Sequence, residues 1–285
     1  MIEVIAPGPY ATVQDLGRPG YGHLGVPRSG AADAPSLRLA NRLVGNPEGA
    51  AGVELTFGGA RLRFAAGAWA AVTGAPCPVE LSRPRGTVPA GMCAPFWVAP
   101  GDELRIGLPS AGLRTYVAIR GGLDTPATMG SRSTDSLSGL GPPPLRPGTV
   151  LPVGPTGALP PLTVDAAAQP GVMTDVLRAL PGPRDDWFVP GALADLCAEP
   201  YEVSQDGNRV GVRLRGACLE RVREGELPSE GMVAGAVQVP PNGQPIVFLA
   251  DHPPTGGYPV IAVLTSAALA RAAQLRPGDR IRFHM

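Results

Sequence analysis

Asp251 closes a continuous apolar run, Ile246 to Ala250. It is followed by His252-Pro253-Pro254-Thr255-Gly256-Gly257-Tyr258-Pro259 before a second apolar run, Val260 to Leu264. A carboxylate at the end of a buried strand, beside a Gly-Gly turn whose amides can lie against a ligand, is a place where proton transfer and substrate binding can be combined. Glu230, in Ser229-Glu230-Gly231, precedes a glycine-rich strand. With Asp251 it could form an acid/base couple whose pKa values are pushed apart, although a solvated turn glutamate would leave the same trace. Arg132 and Arg209 stand among small residues, in Gly130-Ser131-Arg132-Ser133-Thr134 and Gly207-Asn208-Arg209-Val210-Gly211. Such settings suit a guanidinium fork that holds a carboxylate or phosphate, or a surface ion pair. Asp33 follows Ser29-Gly30-Ala31-Ala32, which reads as a tight turn exposing the carboxylate; it is a candidate base or ligand acceptor, or the cap of a helix, and the two roles are compatible. His252 adjoins Asp251 and is expected to orient the loop.

Other chemistries are excluded by residue type. The 24 basic residues are all arginine, because the chain has no lysine. That removes Schiff-base and pyridoxal chemistry, a Walker phosphate loop, and biotin carried on this chain itself. The basic and acidic residues cancel, 24 against 24, so there is no electrostatic footprint for nucleic acid or an anionic membrane. Cys77, Cys93, Cys197 and Cys218 form no C-x-x-C pair and are expected to be buried reduced thiols, while His23, His252 and His284 are isolated, so no metal site is expected. Gly20-Tyr21-Gly22-His23-Leu24-Gly25 matches the dinucleotide fingerprint in letters, but Pro19 before it and Pro27 after it deny the strand and helix the motif requires, and the stretch reads as a surface loop. MIEVIAPGPY lacks a basic region followed by an apolar core, and no apolar run reaches the roughly 18 residues of a membrane span, so a soluble cytoplasmic protein is expected.

The elements that must position these residues are mostly short strands. Glycine (39) and proline (35) make up about a quarter of the 285 residues, interleaved with 44% apolar residues, a pattern of strands joined by tight turns. Strands are expected at Ala60 to Phe64, Trp69 to Thr73, Phe96 to Val98, Leu104 to Ile106, Thr115 to Ile119, Tyr201 to Ser204 and Val210 to Leu214. A hairpin is expected through Val237 and Val239, the turn Pro240-Pro241-Asn242-Gly243, and Ile246 to Ala250. Helices are expected at 34–44, capped by Asp33, and near 266–274, where Ser266 can cap. The phrase Pro100-Gly101-Asp102 before a strand recurs at Pro277-Gly278-Asp279 and, more faintly, at Pro147-Gly148-Thr149, either as a weak repeat or as a common turn. Residues 152–170, rich in Pro, Gly, Ala and Thr without periodicity, read as a linker between two β-rich subdomains, 1–170 and 171–285.

These phrases also carry a family resemblance. Thr12-Val13-Gln14-Asp15-Leu16-Gly17-Arg18, Gly25 to Asp33, Ala40 to Asn46, Gly130 to Thr134, Asn208 to Leu214, Ser229-Glu230-Gly231, Val237 to Pro240 and Asp251 to Pro259, in that order, resemble the carboxyltransferase subdomain A/B family, also called allophanate hydrolase subunit 2. The resemblance implies a mostly β fold with a few short helices, built of two cyclophilin-like β-barrel subdomains. It also implies a subdomain C/D partner.

The activity expected from that resemblance is that of the C component of an ATP-dependent 5-oxoprolinase. Such an enzyme opens the lactam of 5-oxo-L-proline to L-glutamate, and the partners implied are a subdomain C/D protein of the 5-oxoprolinase B type and a lactam-utilisation protein, the A component. An amide carbonyl is a poor electrophile, and coupling to ATP, shared with or held by partner subunits, can activate it. In that reading Asp251 and Glu230 manage protons, Tyr258 donates a hydrogen bond, and Arg132 and Arg209 hold a carboxylate or phosphate. Gln14 and Asp33 orient the substrate, with Thr255, Gly256 and Gly257 forming the loop around it. Two rivals are a carboxyltransferase of a biotin-dependent urea or amide carboxylase, with biotin on a separate carrier, and a non-catalytic antagonist of a histidine-kinase inhibitor.

Overall fold

The computed structural model describes residues 1–168, 175–223, 225 and 227–285. These form a mostly β protein with three α-helices among the described residues. They separate into two compact units, one of Met1–Arg18, Asp33–Asp135 and 139–168, the other of Pro19–Ala32, Ser136–Ser138 and 175–285. The expected boundary at 170/171 lies outside the described residues.

The first unit holds strands β1 (Ile2–Pro7), β2 (Tyr10–Gln14), β3 (Gly52–Thr56), β4 (Ala60–Phe64), β5 (Ala68–Gly74), β6 (Val79–Arg83), β7 (Gly86–Ala90), β8 (Pro95–Val98), β9 (Glu103–Ile106), β10 (Arg114–Ile119) and β11 (Val150–Leu151), with helix α1 (Ala34–Leu43). One sheet runs β11-β1-β4-β9-β6-β7 and the other β2-β3-β10-β5-β8. Strict alternation drives this arrangement: in β4, Ala60, Leu62 and Phe64 are buried while Arg61 and Arg63 face solvent. The inward residues of the first sheet meet Val13, Val53, Leu55, Val72 and Val117 of the second in a common core. On its other side the five-stranded sheet receives α1 through Ala40, Leu43 and Val44 against Ala71 and Ala118. Asp33 caps α1 by accepting the Ser36 N–H at 3.1 Å, and Gly45, at φ 66°, turns the chain after the Val44 C-cap.

The second unit holds β12 (Val176–Pro181), β13 (Tyr201–Val203), β14 (Gly211–Arg215), β15 (Glu230–Gly231), β16 (Ala236–Gln238), β17 (Ile246–Phe248), β18 (Thr255–Gly256), β19 (Val260–Leu264) and β20 (Arg280–His284), with α2 (Ala192–Ala198) and α3 (Ser266–Ala272). Seven strands close a barrel in the order β12-β19-β16-β17-β14-β13-β20, and β15 pairs with β18 as a separate ribbon. The β12/β20 pair is parallel. Where the resemblance implies two barrels, the described residues form one closed barrel, and the strands of the first unit lie in two open sheets.

The expected strands and the Pro240–Gly243 turn are all present, Gly243 at φ 70° donating to the Pro240 carbonyl at 3.0 Å. Three details differ. Thr265, not Ser266, caps α3 by accepting from the Ala268 N–H, β1, β2 and β3 precede the first expected strand, and α2 has no counterpart among the expected helices. The recurring Pro-Gly phrase is one turn used three times. Gly101, Gly148 and Gly278 have φ of 84°, 82° and 87°, and the next side chain, Asp102, Thr149 or Asp279, accepts the N–H three residues back. Residues 152–168 contain no helix and no strand beyond a bridge at Val153, and Arg120 ties them down through the carbonyls of Leu159 and Pro160.

Candidate functional site

In the second unit Asp251 is fully buried in the turn three residues beyond β17, where its N–H donates to the Arg209 carbonyl. Its carboxylate accepts five hydrogen bonds: from Arg209 Nε at 2.9 Å and Nη2 at 3.0 Å, from the Ser29 hydroxyl at 2.7 Å, and from the Ser136 N–H at 2.9 Å and hydroxyl at 2.7 Å. Arg209 is 2% exposed and also donates to the Gly30 carbonyl at 2.6 Å. Burial works to raise the Asp251 carboxyl, but the Arg209 charge, its forked hydrogen bonds and those from Ser136 outweigh burial and hold the carboxyl below its ordinary value. The Arg209–Asp251 pair is therefore an ion-paired clamp that fixes Ser29–Gly30 and Ser136 to the barrel end. The guanidinium fork foreseen for a ligand closes on a carboxylate of the chain itself. His252 turns Nδ1 to the Pro253 carbonyl at 2.8 Å, in keeping with a loop-orienting residue.

Four residues beyond Asp251 the chain enters β18. Its pairing with β15 sets Glu230 opposite Gly256 and Gly231 opposite Thr255, so Glu230, Thr255 and Gly256 are brought together and Gly257 and Tyr258 follow directly. Gly256 packs closely here: a Cβ would lie 2.8 Å from Gln238 Nε2, which holds the Tyr258 carbonyl at 2.9 Å, and would displace that side chain. Tyr258 keeps its side chain 37% exposed. Glu230 is gripped by Arg184, whose Nε reaches both carboxylate oxygens at 2.8 and 2.9 Å and whose Nη2 donates to Oε1. That forked bond is the main reason the Glu230 carboxyl sits below its ordinary value; burial opposes the shift and the Arg184 charge adds to it.

The remaining candidates lie in the first unit. Gln14, fully buried, donates to Thr12 Oγ1 at 3.0 Å and to the Thr134 carbonyl at 2.9 Å. Its amide orientation is fixed, since the reverse would set oxygen against the Thr134 oxygen, and Oε1 has no hydrogen-bond partner among the described residues. Arg132 lies two residues before Thr134. Its N–H donates to Asp15 Oδ2 at 2.6 Å, and its half-exposed guanidinium pairs with Asp124 at 2.6 Å. Asp15 also accepts from Ser131, Ser133 and the Gly17 N–H, which makes it the organiser of the Gly130–Thr134 loop. Asp33 is buried rather than exposed, and its carboxylate accepts both the Ser36 N–H and hydroxyl. Its own N–H donates to the Tyr116 hydroxyl at 2.7 Å, which in turn donates to Glu54 at 2.8 Å.

Sequence reasoning did not single out Arg184, Ser29, Ser136 or Asp15. Ser29 and Ser136 are 222 and 115 residues from the carboxylate they serve, and nothing local marks them. Arg184 had one signal, the rigid Pro181-Gly182-Pro183 before it: a Cβ on Gly182 would lie 2.3 Å from the Val260 carbonyl, so the segment must be glycine to run against β19. Of the four thiols expected to be buried, Cys93 is; Cys77 and Cys197 are half-buried and Cys218 is exposed. Among the described residues no cluster of three or more His, Cys, Asp or Glu side chains could hold a metal ion, and no helix is long and apolar enough to cross a membrane.

Comparison with known proteins gives consistent matches. The family described as carboxyltransferase domain, subdomain A and B, matches residues 24–285. The chain is 39% identical to the C component of the 5-oxoprolinase of Escherichia coli K12, across 99% of this chain and 90% of that protein. The crystal structure of TTHA0988 superposes with a TM-score of 0.88 at 37% identity, covering 100% of this chain and 56% of that one, so this chain spans little more than half of that relative. The urea amidolyase of K. lactis gives a TM-score of 0.91 at 32% identity, across 99% of this chain but 18% of the larger enzyme.

Proposed function

The chain belongs to the family of the carboxyltransferase domain, subdomains A and B, and from that premise we propose that it is the C component of an ATP-dependent 5-oxoprolinase, hydrolysing the lactam of 5-oxo-L-proline to L-glutamate in complex with partner subunits. One observation carries this reading. Among the relatives compared above, the E. coli 5-oxoprolinase component is matched nearly end to end on both sides, whereas the amidolyase and TTHA0988 matches leave large parts of those chains uncovered. The partners are a subdomain C/D protein of the 5-oxoprolinase B type and a lactam-utilisation protein. The demand for ATP places the assembly in the cytoplasm, and in this reading the cyclophilin-like description of the family extends to both units.

Neither a Walker-type phosphate loop nor a dinucleotide-binding turn for ATP is built on this chain. There is no lysine for a phosphate loop, and the glycine-rich stretch at 20–25 folds as one turn of 3-10 helix, Gly22–Leu24, followed by Pro27 rather than by an α-helix whose N-terminus could take a phosphate. In this reading the nucleotide is shared with or held by the partners, and the chain's own part is with the substrate. Glu230, beside the open Gly256–Gly257 turn, exchanges a proton with the ring nitrogen or the incoming water. Tyr258 donates a hydrogen bond from its exposed hydroxyl. Asp251 and Arg209 act from behind as positioning residues, because every donor and acceptor they offer one another is already engaged. In the first unit Asp33 holds the start of α1, Gln14 fixes Thr12 and Thr134 from a buried position, and Arg132 keeps a half-exposed guanidinium that pairs with Asp124.

The test is genetic. A strain of E. coli lacking its own 5-oxoprolinase subunits is given this chain with its cognate partners, and growth is scored on 5-oxo-L-proline as sole nitrogen source. Growth that disappears when this chain is omitted supports the reading; no growth from a fully expressed set defeats it. A second reading, carboxyl transfer to urea or another amide, is favoured by the TM-score of 0.91 with the K. lactis urea amidolyase. Biotin would then arrive on another protein, since this chain has no lysine to carry it.

A further inference from the structure

Arg184 is the unassigned charge nearest the proposed chemistry. Its backbone is held rigidly: the Gly182 N–H donates to the Ile261 carbonyl at 2.8 Å and the Arg184 N–H to the Val260 carbonyl at 3.2 Å, so the residue is fastened to β19 of the barrel. Its side chain is 37% exposed, and the Glu230 carboxylate it grips is 29% exposed, so the contact is open to solvent. Arg209, by contrast, is 2% exposed and clamped to Asp251. One side of the ribbon is open among the described residues: a Cβ on Gly231 would meet nothing within 4 Å and one on Gly257, just past β18, a single carbonyl at 3.4 Å, whereas Gly256 packs against Gln238 and Met232.

A forked guanidinium–carboxylate contact on an accessible ribbon is the same chemistry by which arginine recognises a small carboxylate ligand. An exposed ion pair adds little to stability, on the order of 1 kcal/mol or less, so an incoming carboxylate can replace the internal one at small cost. We propose that Arg184 is the receptor for the carboxylate of the substrate, and that Glu230 occupies it as a placeholder until the substrate arrives and sets Glu230 free. Binding and activation are thereby joined in one exchange: the substrate carboxylate takes Arg184, and the released Glu230 is left beside Thr255 and Gly256 without its counter-charge. The exchange selects for a lactam that carries a carboxylate and against an uncharged amide. It rests on the 5-oxoprolinase reading for the identity of the ligand.

The experiment measures equilibrium binding to the assembled complex by calorimetry, with no turnover required, using 5-oxo-L-proline and 2-pyrrolidinone, the same ring without its carboxylate. Wild type is expected to prefer 5-oxo-L-proline by roughly ten- to a hundredfold, the usual range for one charged hydrogen-bonded contact. Arg184→Gln removes that preference, and Arg184→Lys, which keeps the charge but not the fork, restores part of it. Glu230→Gln, which vacates the receptor, tightens 5-oxo-L-proline binding severalfold while lowering kcat. A structural tether would move both variants in the same direction, so the opposite sign is diagnostic. Preference retained in Arg184→Gln, weaker binding in Glu230→Gln, or no binding of 5-oxo-L-proline to wild type overturns the proposal. The expected binding pattern in a complex that forms no glutamate would instead overturn the functional reading and leave the receptor standing.

Discussion

Replacing Asp251 by alanine perturbs the structure where most is concentrated in one side chain. The substitution removes the acceptor of five hydrogen bonds and leaves Arg209, 2% exposed, buried without the charge that neutralises it. Breaking one side of such a buried pair costs about 3–5 kcal/mol. At a urea dependence of about 2–3 kcal/mol/M this lowers the midpoint of barrel unfolding by about 1–2.5 M. Trp187, 8% exposed in the barrel core, is the reporter, in a background where Trp69 and Trp97 of the other unit are replaced by phenylalanine. Asp251→Leu combined with Arg209→Met is expected to recover most of the loss, because the desolvated charges go together. If Asp251→Ala costs less than about 1 kcal/mol, or if the double replacement is as damaging as the single one, the clamp is not what holds Ser29 and Ser136 in place.

Because the Asp251 carboxyl lies below its ordinary value when folded, its contribution to stability is complete above the unfolded value of about 3.9 and is lost as pH falls through the folded one. Barrel stability measured against pH should therefore fall in that acid range in wild type, and more shallowly in the Asp251→Leu/Arg209→Met pair. Tyr116→Phe leaves the Asp33 N–H and a Glu54 oxygen without the hydroxyl that joins them, and should cost about 1–3 kcal/mol in chemical denaturation of the first unit. Gly141→Ala would set a Cβ 2.0 Å from the Ser133 carbonyl at a φ of 81°, and is expected to lower Tm by at least about 2 °C in calorimetry.

The parts of the fold that were legible in the sequence are those governed by local rules. The alternation of Ala60 to Phe64, the Asp33 cap with Gly45 beyond the helix, and the Pro240–Gly243 turn each follow from side-chain periodicity or from a backbone angle that few residues accept. Helix α2 escaped because its seven residues follow a glycine cap in the left-handed region with no side-chain hydrogen bond to announce it. The candidate site was legible as residue types but not as partnerships. Asp251 and Arg209 were both singled out, yet their union with each other, 42 residues apart, is a property of barrel closure. Glu230 likewise shows nothing of Arg184, 46 residues earlier, and Asp33 gives no sign that Ser36 will take both of its oxygens. Long-range pairing decides whether an ionisable side chain is free to react, and short-range pattern does not carry that information.

The most direct measurement reconstitutes the purified chain with its subdomain C/D partner and the lactam-utilisation protein, then follows carbon-labelled 5-oxo-L-proline and ATP together. Labelled glutamate appearing in step with ADP, and only when this chain is present, is the expected result. Equal glutamate without the chain, or no glutamate from a complete complex that instead carboxylates urea when given a biotin carrier, would contradict the account.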